Sequence, residues 1–167
     1  GHVETTEQRI EHLQRIRDLQ DQTEGFTAFI TWNFQPDDTA LGANAERWDG
    51  IVSTGFDHLR TVAISRLFLD NIDSLQASWV TQGPKIAQVS LRYGINDFGS
   101  TMLEENVVSA AGTSHMHEMD LQTMERLIRD AGYTPQRRNT RYESVMTPAQ
   151  PDVLKEVSST ERSYSIS

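Results

Sequence analysis

Segments with helical periodicity alternate with short apolar, β-branched runs along most of this chain, and that alternation constrains the fold more than any other feature of the sequence. The first helix is expected just after Glu4, where Thr5 or Thr6 can cap the orphan N–H groups and Ile10, Leu13, Ile16 and Leu19 form an apolar stripe. It should stop near Gly25. Residues 26–34, rich in aromatic and β-branched side chains and closed by Pro36, read as a buried strand running into a loop over 35–54. A second helix is expected over 57–69, with Leu59, Val62, Ala63, Leu67 and Phe68 mostly on one face, followed by a short strand over 75–80.

Pro84 can open the next helix, because proline at the first helical position gives up only an N–H that has no intrahelical partner. That helix, over 85–93, ends at Gly94, a natural left-handed cap. A third strand candidate over 95–102 feeds a helix over 104–111, and an amphipathic helix over 121–131 closes at Gly132. From Ser144 on, the chain is rich in Ser, Thr and Pro with few large apolar residues, and a mobile tail is expected.

Strands separated by helices of this length imply right-handed parallel crossovers, since antiparallel pairs need only tight turns. The fold class is therefore α/β with parallel strands. Three strands are opened by a helix with almost no strand before it, as though the chain began inside a strand whose upstream part is absent. A complete eight-stranded barrel needs about 250 residues, so 167 residues fit roughly its second half. Residues 1–112 then form the half-barrel, 113–143 a helical segment and 144–167 the flexible tail.

The formal charge of −9, with basic residues scattered through helices, argues against a nucleic-acid partner. No run approaches the roughly 20 apolar residues of a membrane span, and the polar start has no signal-peptide core, so a cytoplasmic protein is expected. The chain has no cysteine, which excludes disulfides, thiolate zinc sites, a cysteine nucleophile and cysteine-ligated iron–sulfur clusters held by this chain itself.

In parallel β/α folds the loops after the strands' C-terminal ends form the binding face. Candidate residues there are Glu4, Trp32, Gln35, Trp79, Gln82, Ser100, Thr101 and Glu105, a mixture of hydrogen-bonding and stacking groups suited to a polar heteroaromatic ligand. Each has a plainer reading. Glu4 can charge a helix start, Trp32 and Trp79 can pack a core, the segment 81–84 can be an ordinary helix opening, and Glu104 and Glu105 diverge on a helix instead of sharing a proton. No histidine has metal spacing: His115 and His117 make a loop pair without a third ligand.

The runs Phe26-Thr-Ala-Phe-Ile-Thr-Trp-Asn-Phe-Gln-Pro36, Gln76-Ala-Ser-Trp-Val-Thr-Gln-Gly-Pro-Lys85 and Asn96-Asp-Phe-Gly-Ser-Thr-Met-Leu-Glu-Glu-Asn106 carry a resemblance that extends over residues 1–143. It includes Arg60-Thr-Val-Ala-Ile-Ser-Arg66 and Ile128-Arg-Asp-Ala-Gly-Tyr-Thr-Pro135. The sequence resembles the radical S-adenosylmethionine family of cyclic dehypoxanthinyl futalosine synthases, from the futalosine route to menaquinone. It departs from the family at Thr31, where proline is expected, and at Glu24, where a second glycine is expected.

The resemblance implies the C-terminal half of a radical SAM (β/α) TIM-like barrel. In the intact enzyme a [4Fe–4S] cluster, held by a Cys-x-x-x-Cys-x-x-Cys loop of the N-terminal half, cleaves S-adenosylmethionine, and the resulting radical abstracts a ribose hydrogen from a nucleoside-like substrate and leads to ring closure. It also implies that Gly1 and Glu4 lie beside the adenosyl group, and that Gln35, Gln82, Ser100, Thr101 and Glu105 line the substrate side. Aminofutalosine synthase and the synthase subunits of the deazaflavin cofactor share this half-barrel; the run at 79–85 favours the cyclase. The contrasting expectation is a non-catalytic half-barrel that docks a partner chain through an open sheet edge.

Overall fold

The computed structural model describes residues 3–44, 46, 52–101 and 119–145. Two compact units divide the chain, Gly1–Pro135 and Gln136–Ser167.

Helix α1 (Thr6–Thr23) starts on a reciprocal cap. Thr5 Oγ1 accepts from the Gln8 N–H at 3.3 Å, and Gln8 Oε1 accepts from the Thr5 N–H at 2.8 Å. Strand β1 (Ala28–Ile30) follows, then helix α2 (Gly55–Phe68), whose cap repeats the device with Thr54 and Asp57. Two hydrogen bonds from Thr54 hold the Asp57 carboxyl below its ordinary range. Strand β2 (Ser74–Gln76) leads into α3 (Trp79–Ser90), a single 3-10 turn (Leu91–Tyr93) and, further on, α4 (Leu121–Asp130) capped by Asp120.

Strands β1 and β2 pair in parallel with Phe29 opposite Leu75, and a parallel bridge from Gln76 to Asp97 continues the array. This is an α/β arrangement with helices between parallel strands, as the alternation implies. The elements are shorter than their apolar runs. The strand expected over 26–34 is laddered only at Ala28–Ile30. The one expected over 75–80 ends at Gln76, because Trp79 and Val80 already belong to α3. The third, over 95–102, has a single bridge at Asp97 among its described residues. The helix expected over 104–111 and residues 146–167 of the expected tail lie outside the described residues.

Helix α3 is two pieces. Gly83 sits at φ 78°, ψ 162°, which breaks the helix after its first turn, and Pro84 opens the second piece as its missing N–H permits.

Packing forms two apolar clusters joined by Phe29. One gathers Val62, Leu75, Trp79, Ala87, Leu91, Ile95, Phe98 and Met124, and the other Leu13, Leu69 and Ile72 against Ile10, Ile16 and Phe68. Two expected core positions face water instead. Leu19 is 45% exposed and Leu67 83%, while Gln20 is buried where the α1 stripe was expected to continue. The Gln20 amide explains this: Oε1 accepts from the Phe26 N–H at 2.8 Å, and Nε2 donates to the carbonyls of Phe26 and Asn71 at 3.1 and 3.3 Å. With these three bonds one α1 side chain meets the backbone on the approach to β1 as a neighbouring strand would.

Among the described residues no helix is long and apolar enough to cross a membrane.

Two glycine-type positions give opposite expectations. Glu24 ends α1 at φ 49°, a left-handed conformation that costs a side-chain-bearing residue about 1–2 kcal/mol. Glu24→Gly should raise unfolding stability by about 1 kcal/mol. Gly94 lies at φ 104°, and an added Cβ would stand 2.7 Å from Arg66 Cγ. Gly94→Ala should cost about 2 kcal/mol or more. Urea unfolding curves of both variants check the pair.

Candidate functional site

A cavity of about 540 Å³ opens between the first half of α1, the end of β1 and the inner face of α2. Thr5 and Thr54 cap the two helices at the end toward which β1 runs, so their first turns and residues 31–33 come together there. Glu4, Arg9 and His12 come from α1's beginning, Thr31, Trp32 and Asn33 from the chain beyond β1, and His58, Thr61 and Ser65 from α2.

At one side Arg9 Nε donates to Glu4 Oε1 at 2.9 Å, with both side chains about one third exposed. A pair this accessible contributes little to stability, on the order of 0–1 kcal/mol, but it presents a carboxylate and a guanidinium at fixed positions. Trp32 is 56% exposed and offers an aromatic face.

Deeper in, His58 is 3% exposed, and its Nδ1 lies 2.9 Å from Asn33 Oδ1. An amide oxygen only accepts, so Nδ1 carries the proton and Nε2 of the neutral ring is left as an acceptor. Burial pulls the His58 pKa from 6.5 to about 4, which keeps the ring uncharged near neutral pH. Two further polar atoms line the same space without a hydrogen-bond partner among the described residues: Thr31 Oγ1 and Ser65 Oγ. A buried hydroxyl left unmatched costs about 1–3 kcal/mol, so their place is a receptive one for a polar group. The site can bind and orient a polar ligand through neutral donors and acceptors, with one ion pair at its edge.

Of the residues singled out in the sequence, the cavity brings together Glu4 and Trp32. Gln35 is next to it in the chain, its Nε2 donating to the Asn33 carbonyl at 3.4 Å. Trp79 is 3% exposed within the larger apolar cluster. Gln82 is half-buried in the first turn of α3, and Ser100 and Thr101 are exposed. Gly1, Glu105, His115 and His117 lie outside the described residues.

His58, Asn33, Thr31 and Ser65 do not stand out in the sequence as a group. The signal was present: His58, Thr61 and Ser65 recur at helical spacing beside the apolar positions Leu59 and Val62, a polar stripe on an inward helix face. No group of three metal-ligating side chains occurs among the described residues.

The His58 shift has a signed consequence. The unfolded chain takes up a proton below about pH 6.5, whereas the folded ring resists it down to about pH 4. Stability from this group is therefore complete above pH 6.5 and is lost progressively between pH 6.5 and 4. Urea midpoints measured across that window should fall more steeply for the native chain than for His58→Asn.

Comparison with known proteins places this chain in a group. Residues 23–151 match the family model described as the CofH/MqnC C-terminal region. A cyclic dehypoxanthine futalosine synthase of Halalkalibacterium halodurans is 53% identical over 147 residues, which is 88% of this chain and 38% of the relative. The enzyme of the same name from Streptomyces coelicolor is 44% identical over 167 residues, 96% of this chain and 40% of the relative. An aminodeoxyfutalosine synthase of Thermus thermophilus is 39% identical over 145 residues, 87% and 38% of the two. The chain thus spans about two fifths of the length of these relatives.

Proposed function

From the premise that the chain belongs to the CofH/MqnC C-terminal family, we propose that it is the substrate-side half of a radical SAM barrel that cyclises dehypoxanthine futalosine on the way to menaquinone. The observation that carries this reading is the parallel array: β1, β2 and the Asp97 bridge run the same way, so the loops that follow them emerge at one end. That end is where a parallel β/α barrel holds its ligands. The names of two relatives, at 53% and 44% identity, favour the cyclase over the aminodeoxyfutalosine synthase, at 39%.

A [4Fe–4S] cluster does not fit this chain. Its ligands are thiolates, and the sequence contains no cysteine. Radical initiation therefore belongs to a cysteine-bearing N-terminal half that pairs with this one, and β1 offers the sheet edge opposite β2 for that union. S-adenosylmethionine is a better match for the residues present. Glu4, held by Arg9, is a carboxylate able to accept from an ammonium or from ribose hydroxyls. Trp32 supplies a stacking face for the nucleoside-like substrate, and Gln35, Gln82, Ser100 and Thr101 supply amide and hydroxyl groups, with Glu105, outside the described residues, as a further carboxylate.

Anaerobic reconstitution tests the division of labour. With iron and sulfide, this chain alone should develop no cluster absorption and split no S-adenosylmethionine. Combined with a half carrying the cysteine triad, it should consume dehypoxanthine futalosine. Cleavage of S-adenosylmethionine by the isolated chain, or turnover of an aminodeoxyfutalosine precursor in place of dehypoxanthine futalosine, would overturn the reading.

A further inference from the structure

We infer that His58 is a positioning residue, fixing the Trp32 rim of the cavity through Asn33; its catalytic consequence rests on the enzymatic reading above, while the contact itself does not. His58 stands on the inner face of α2, 3% exposed, and donates from Nδ1 to Asn33 Oδ1 across 25 positions of sequence. Asn33 lies three residues beyond the last laddered position of β1, so this bond ties the chain after the strand to the helix that follows it.

The tie acts on the rim of the cavity. Phe29 packs among Leu13, Leu69 and Ile72, and Asn33 meets His58 on α2. Trp32, the residue before Asn33, lines the same cavity and is 56% exposed. Holding Asn33 against α2 therefore fixes the backbone from which the Trp32 ring reaches that rim.

An imidazole suits this task better than an apolar side chain, which would fill the helix face at lower desolvation cost but leave the Asn33 amide oxygen without the ring's donor. The donor sits on the atom nearest the backbone. Asparagine carries an N–H at almost the same place, whereas phenylalanine fills the same volume with none. This pair of substitutions separates positioning from mere bulk.

The test uses the cluster-loaded enzyme containing this chain, in a Trp48→Phe background where Trp79, 3% exposed, is shielded from a soluble quencher and Trp32 is not. His58→Phe is expected to change Trp32 quenching about twofold and to raise KM for the nucleoside substrate about tenfold, with kcat within about threefold of native. His58→Asn should restore both. Asn33→Ala should reproduce the His58→Phe effect, and the double variant should be no worse than either single one. Nitrogen NMR of the imidazole should find the proton on Nδ1.

The inference is overturned if His58→Asn behaves like His58→Phe, if Asn33→Ala leaves Trp32 quenching at the native level, or if the proton resides on Nε2. Should the enzyme turn over no nucleoside at all, the functional reading fails, and quenching with imidazole NMR still decides the tie.

Discussion

The Arg66 guanidinium is the hub on which the parallel array depends. From the C-terminal part of α2 it donates to the carbonyls of Ile72, Asp73 and Gly94 and to the Asn96 side-chain oxygen. Asn96 in turn accepts from the Leu75 N–H and donates to the Asp73 carbonyl, so its amide stands beside the start of β2 as a strand would. One cation thus joins a helix, the entry of one strand and the approach of the next. Buried hydrogen bonds to a charged group contribute about 1.5–3 kcal/mol each net of desolvation, and those of this partly exposed guanidinium contribute less. The geometry also explains Gly94: the turn needs both a left-handed backbone and room for the Arg66 stem.

The cavity depends on that frame. Ser65, the residue before Arg66, is fully buried, and one and two turns earlier the same helix presents Thr61 and His58. The hub therefore sets the rotation of α2, which in turn decides which polar residues look toward β1. Phe29 joins the two apolar clusters at the middle of the sheet.

Local chemistry made much of this legible in the sequence. Thr5, Pro84, Gly94 and Gly132 announce helix boundaries because each acts on its own backbone neighbours. Apolar runs overstate strand length because they continue where the ladder stops: Trp79 is as buried in a helix as it would be in a strand. Leu19 faces water and Gln20 is buried because an amide making three bonds to distant backbone outweighs a stripe's continuation, and those partners are invisible at helical spacing. Glu4 and Trp32 could be found from their places at strand ends. His58, Thr31 and Ser65 could not, because what matters about them is the space they share across three elements. Glu24 and Thr31, where the resemblance leads to the expectation of glycine and proline, both fall at consequential positions: Glu24 is left-handed, and Thr31 places an unmatched hydroxyl in the cavity.

The Gln20 side chain has a consequence for how such chains can change length. Because its amide must meet Phe26 on one side and Asn71 on the other, inserting or deleting a single residue in the last turns of α1 would rotate it by about 100° about the helix axis and strip the incoming strand of its lateral partner. Related chains should therefore accept size variation between β1 and α2 far more readily than between α1 and β1, where the connection is held to a fixed count.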